Sequence, residues 1–136
     1  CAFPAATRVL IAEDDKVNQR VISLLLAQEG LAFMLCTDGL EAIAAAKNER
    51  WSLILMDVQM PGLDGIEATR RIRRLSIGGD VPIVALTANA RNEDRVACFE
   101  AGMNDFVTKP VRRSELQACL RKWLVPSARP PTRPAP

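Results

Sequence analysis

Five times along this chain a short β-prone run gives way to a stretch with apolar residues at helical spacing, and that alternation limits which folds are open to it. The first run, residues 8–12, stops at Glu13-Asp14-Asp15. Val17, Val21, Leu24, Leu25 and Gln28 then follow helical spacing up to Gly30. Residues 31–36 form a second run, and Asp38 with Glu41 three residues later reads as a capping box. That box opens a helix expected to turn Leu40, Ile43 and Ala44 inward. Residues 51–56 are nearly all apolar, as expected for a strand covered on both faces. Met60-Pro61-Gly62 breaks the chain before a helix over about 64–75, with Ile66, Thr69, Ile72 and Arg73 at periodic positions, and residues 76–80 read as a turn.

Residues 81–86 make a fourth strand, with Pro82 near its start, where a missing donor costs little. A short helix over 90–100 closes at Gly102, and a fifth strand covers 104–107. Ser114 then precedes a last helix striped by Leu116, Cys119, Leu120 and Trp123. The order is (βα)5. Connections of this length favour parallel strands with right-handed crossovers, hence α/β: an open, doubly wound five-stranded sheet between two helical layers, for which 2-1-3-4-5 is a common strand order and the one expected here.

The 136 residues suit one domain over residues 7–124, after an extension of residues 1–6. Residues 125–136 hold five prolines without apolar periodicity and read as a linker or tail. Without the last eleven residues, sixteen basic side chains face sixteen acidic ones, a balance that argues against non-specific nucleic-acid binding. Arg70, Arg71, Arg73 and Arg74 read as a solvated helix face. The cysteines, Cys1, Cys36, Cys98 and Cys119, lack the spacing of a metal knuckle or redox pair and read as reduced thiols of a cytoplasmic protein. No apolar run approaches membrane-spanning length. Starting at Cys1 without a methionine suggests an excised domain or a processed product, whose parent can be larger and even membrane-bound. The chain has no histidine, which excludes histidine triads, imidazole metal sites and an internal phosphohistidine donor.

Polar residues collect where the strands end: Glu13, Asp14 and Asp15 after the first, Asp57 after the third, Thr87 after the fourth and Lys109 after the fifth. Open parallel sheets bind ligands beyond these carboxyl ends, near the point where strand order reverses. With the first and third strands adjacent, Asp14 and Asp57 can approach each other, and close carboxylates call for a cation or a proton. Oxygen ligands without nearby histidine or cysteine favour Mg2+ over zinc.

Glu13-Asp14, Asp57 within LMDVQMPGLDG, Thr87-Ala88, and Lys109-Pro110 within FVTKP occur in this order over residues 7–124. In these motifs the chain resembles the receiver domains of two-component response regulators, and VLIAEDDKVNQR is especially similar to receivers attached to hybrid sensor histidine kinases. The resemblance implies that Asp57 accepts a phosphoryl group from a phosphohistidine on a partner, either a histidine kinase dimerisation domain or a histidine phosphotransfer protein. It implies Mg2+ held by Asp14, Asp57 and the Gln59 carbonyl, with Glu13 acting through water. Thr87, Ala88 and Lys109 would hold the phosphoryl oxygens, Thr87 and Phe106 would form the conformational switch, and Lys109-Pro110 would be cis. Phe106 lacks the hydroxyl of the tyrosine often found at its position, so a switch there works by ring packing. Gln59 and Asn89 would flank the path of hydrolytic water.

Three other readings compete. A phosphorylation-independent interaction module would not need the full polar set. A phosphatase of the haloacid-dehalogenase type needs an acid two residues after its nucleophile, where Gln59 stands. A flavin-mononucleotide binder would place a phosphate beside three acidic residues.

Overall fold

The computed structural model describes residues 7–60, 62–75, 80–88 and 92–124. Strands β1 (Arg8–Ala12), β2 (Ala32–Cys36), β3 (Leu53–Asp57), β4 (Ile83–Thr87) and β5 (Asp105–Thr108) alternate with helices α1 (Lys16–Gln28), α2 (Gly39–Asn48), α3 (Gly65–Arg73), α4 (Asn92–Ala101) and α5 (Arg113–Leu124). The strands form one parallel sheet in the order β2-β1-β3-β4-β5. The expected strand order is the observed one. Order reverses between β1 and β3, which opens a crevice over their carboxyl ends.

The three central strands carry the core. From Val9 to Ala12, and throughout β3 and β4, every residue is buried, because helices cover both faces. Ala42, Ala45 and Ala46 of α2 and Ala68 and Ile72 of α3 pack on one face with Leu10, Ile54 and Met56. Ile22 and Leu26 of α1 and Leu116 and Leu120 of α5 pack on the other with Val9, Leu55 and Val84. Fully burying each large aliphatic side chain contributes about 1.5–3 kcal/mol.

Helix starts follow their caps. Asp15, Asp38 and Asp64 each accept a backbone N–H three residues on, at 2.9, 2.8 and 2.9 Å. In the box at Asp38, the Glu41 carboxylate accepts from Thr37 N and its hydroxyl rather than from the cap residue itself. Gly30 and Gly102 end α1 and α4 with φ of +73° and +112°, where a side chain would be strained.

Two helix faces differ from expectation. On α2, Leu40 and Ala44 face outward while the small residues at 39, 42, 45 and 46 lie against the core, letting the helix sit close to the sheet. On α1, Val17 and Leu24 are 70% and 58% exposed and Val21 is also open, while Ile22 and Leu26 are buried. This helix has two apolar stripes, and periodicity alone does not choose between them. Arg73 also leaves the solvated face assigned to it: its guanidinium donates to Gly102 O and Asn104 Oδ1 at 2.7 Å each, tying α3 to the turn after α4. The extension and tail proposed at the termini, Cys1, Pro61, most of the 76–80 turn and Asn89 lie outside the described residues.

Candidate functional site

A cleft of about 350 Å³ opens over the carboxyl ends of β1, β3, β4 and β5. Asp57 is the last residue of β3, its backbone registered opposite Leu86 of β4, so the ladder fixes its position. The residue is 3% exposed, and its Oδ1 accepts from the Gln59 backbone N–H at 3.2 Å. Glu13 follows β1 directly and is fully buried; its Oε2 accepts from the Asp15 backbone N–H at 3.0 Å. Lys109, just beyond β5, reaches across and places its Nζ 2.9 Å from Glu13 Oε1 and 3.0 Å from Asp57 Oδ1.

One lysine thus faces two buried carboxylates, and Asp14 adds a third, exposed one. Ligand oxygens of Glu13, Asp14 and Asp57 lie within 4.8 Å of one another. Burial pushes the Asp57 carboxyl up, and the hydrogen bond with Glu13 adds to that, so that against the opposing pull of Lys109 it rises to about 7 from an ordinary 3.8. Burial alone would lower the Lys109 ammonium, but its hydrogen bonds to Glu13 and Asp57 outweigh this and hold it above the usual lysine value. The site carries more negative charge than its one lysine offsets. An oxygen-only donor set of this kind fits a hard divalent cation.

The structure brings Glu13, Asp14, Asp57, Gln59, Thr87, Ala88 and Lys109 to the same cleft. Thr87 is buried at the end of β4, and its carbonyl accepts from Lys109 N at 2.7 Å, joining the fourth and fifth strand ends. The Lys109–Pro110 bond is cis, as expected. Phe106 stands apart, half-buried on β5, with the Arg95 guanidinium 4.6 Å from its ring centroid. Asn89 lies outside the described residues.

Sequence reading missed two glycines that shape the site. A Cβ on Gly65 would come 2.0 Å from the Asp57 carbonyl oxygen, and one on Gly39 would come 2.5 Å from Leu63 O. Only glycine lets α3 and α2 start this close to the segment that follows Asp57. Asp15 was noted as part of the acidic run, but not as the cap that starts α1 at the rim of the cleft. An acidic residue directly before a helical pattern was the available signal. Burial raises the Cys36 and Cys119 thiols to about 11 and about 12, so both are poor nucleophiles.

Residues 9–121 match the model of the response regulator receiver domain. The chain is 41% identical over 124 residues to the osmosensing histidine protein kinase SLN1 of Saccharomyces cerevisiae, covering 87% of this chain and 10% of that protein. It thus spans about a tenth of the length of that relative, and 18% and 6% of two others. A crystal structure of the receiver domain of a sensor histidine kinase from Pseudomonas aeruginosa PAO1, with magnesium ion coordinated in its active-site cleft, superposes with a TM-score of 0.82 at 47% identity, covering 88% of this chain and 98% of that one. The receiver domain of the Saccharomyces cerevisiae response regulator Ssk1, solved with the histidine phosphotransfer protein Ypd1, gives 0.84 at 34% identity and 95% coverage of both chains.

Proposed function

Because this chain belongs to the response regulator receiver domain family, we propose that its cleft accepts a phosphoryl group onto Asp57 from a phosphohistidine of a partner protein. The observation that carries this reading is the contact of one buried carboxylate, Asp57, with the Lys109 ammonium at 3.0 Å inside an acidic cluster. A carboxylate oxygen of Asp57 attacks phosphorus, the new O–P bond forms as the P–N bond to the donor imidazole breaks, and the departing ring nitrogen takes up a proton.

The site residues take roles by their chemistry. Lys109 leaves its two carboxylates to pair with a phosphoryl oxygen, while the Thr87 hydroxyl and the Ala88 backbone N–H donate to the others. Mg2+, as in the Pseudomonas neighbour, fits the oxygens of Asp14 and Asp57 with Gln59 O, and when bound it offsets charge on the phosphoryl group. Glu13 would act on such a cation through water. Gln59 and Asn89 flank the approach of hydrolytic water. Movement of Thr87 and Lys109 toward the new charge reaches Phe106 through the joined ends of β4 and β5.

The donor is a histidine presented on a helix, in a kinase dimerisation domain or a phosphotransfer protein. The exposed stripe of Val17, Val21 and Leu24 supports this, since it starts from the rim of the cleft and offers a helical partner an apolar seat. The Ssk1 receiver, solved with such a phosphotransfer protein, supports it further. Among the described residues no helix is long and apolar enough to cross a membrane. The likeness to receiver domains of sensor histidine kinases supports placing the domain within a hybrid histidine kinase, on its cytoplasmic side. Incubation with a small phosphodonor and Mg2+ tests the acceptor role: intact mass should show one acid-labile phosphoryl group, and no uptake with either a small donor or a phosphohistidine protein contradicts it. A phosphorylation-independent interaction module would bind its partner equally well with Asp57 replaced.

A further inference from the structure

A second concavity, of about 410 Å³, lies between α2 and α3, in the helical layer opposite α1 and α5. Its floor is apolar, with Leu40, Ile43 and Ala44 from α2 meeting Leu75 just beyond α3. Leu40 is 61% exposed there. Its rim is cationic: Lys47 in the last turn of α2 faces Arg71 and Arg74 at the end of α3. Among the described residues no carboxylate lines it. Glu67 pairs with both Arg70 and Arg71, at 3.4 and 3.3 Å, so one acid serves two guanidiniums. Among the described residues, Lys47 and Arg74 form no ion pair.

Cations in a last helical turn are ordinary, since they complement the helix dipole. That accounts for Lys47 and the arginines taken singly. It does not account for a large aliphatic residue standing open beside a rim on which Glu67 meets Arg71 while Lys47 and Arg74 form no ion pair among the described residues. The groove is also preformed. The starts of both helices are closely seated: a Cβ on Gly39 would come 2.5 Å from Leu63 O and one on Gly65 2.0 Å from the Asp57 carbonyl oxygen.

We propose that this groove is the docking site for a short acidic amphipathic helix of a protein partner. Such a helix sets two apolar side chains, three or four residues apart, on the Leu40–Leu75 floor and its carboxylates against Lys47, Arg71 and Arg74. The net charge of the rim selects an acidic partner, and the concave floor below that rim suits inserted side chains rather than a flat lipid surface. The contact is small, so the affinity is weak, on the order of micromolar or above. Because α1 lies on the opposite layer, a phosphohistidine partner and this helix bind together.

The test is a titration of the whole chain with a dye-labelled helical peptide carrying leucines at i and i+4 flanked by glutamates. Its scrambled sequence, a lysine analogue and vesicles of anionic lipid are run in parallel. The acidic peptide should bind saturably and shift resonances of residues 40–47 and 71–75. Binding should weaken roughly tenfold or more in Arg71→Glu/Arg74→Glu and in Leu40→Asp, with uptake of phosphate by Asp57 unchanged. Lys47→Glu gives the same result without touching α3. Equal affinity for the scrambled peptide, undiminished binding by the variants, or shifts confined to another face would overturn the assignment. So would capture by anionic vesicles without peptide binding.

Discussion

Lys109 Nζ sits between Glu13 Oε1 and Asp57 Oδ1, 2.9 and 3.0 Å from them, and so holds together two buried carboxylates that their mutual repulsion would otherwise drive apart. Lys109→Ala leaves those acids facing each other without a cation. The loss of the partner of a buried charge should destabilise the metal-free domain by about 1–3 kcal/mol, with the fold intact, since Lys109 itself keeps some exposure. Phosphorylation of this variant should no longer shift the resonances of residues 80–88 and 105–109. Wild-type-like shifts would contradict the role given to Lys109.

Asp57 sets a pH dependence. Its carboxyl titrates near 3.8 when the chain is unfolded and is raised to about 7 in the fold. Between those values the folded state binds the extra proton, so metal-free stability falls as pH rises from about 4 to about 7 and then levels. Lys109, raised above 10.5, contributes stability constant across that window and lost only at higher pH. Urea midpoints in chelator from pH 4.5 to 8 should show the fall in wild type and a flatter profile in Asp57→Asn. Identical slopes would place the proton elsewhere.

Mg2+ acts on the same charge imbalance. At 100 times its dissociation constant it should stabilise the domain by about 2.7 kcal/mol, and chelator should remove the whole increment. Affinity should rise with pH through about 7, as Asp57 releases its proton. Asp14→Asn should weaken the increment while leaving the metal-free melting temperature nearly unchanged, because Asp14 is exposed. Calorimetric scans with and without the ion measure both effects.

Gly65→Ala should cost more than a surface change. Its Cβ would overlap the Asp57 carbonyl, backbone that cannot swing aside, so the expected loss is about 1–3 kcal/mol or more. Chemical denaturation reads that loss directly, and a variant as stable as wild type would mean that α3 shifts freely.

The sheet was legible because β1, β3 and β4 are apolar runs bounded by acids, proline or glycine, and the crossover rules leave few orders for five such units. Glu13, Asp14, Asp57, Thr87 and Lys109 were legible as one site because the topology puts every strand end on one edge. The outward stripe of α1 and the true inner face of α2 were not. Helical spacing reports which residues share a face, and it is silent on whether the sheet or the solvent meets that face when both sides carry apolar residues. Arg73 was hidden for a different reason: besides Val81 O, its acceptors include the Gly102 carbonyl and Asn104, about thirty positions away, and no local pattern announces them. Gly39 and Gly65 escaped because close backbone approach leaves no mark except the absence of a side chain.

The most direct measurement of the central claim is transfer of labelled phosphate from a phosphohistidine protein to this chain in Mg2+, with wild type and Asp57→Asn side by side. The account predicts rapid, acid-labile labelling of wild type at residue 57 and none of the variant. Labelling of the variant at the wild-type level, mapped to another residue, would contradict it.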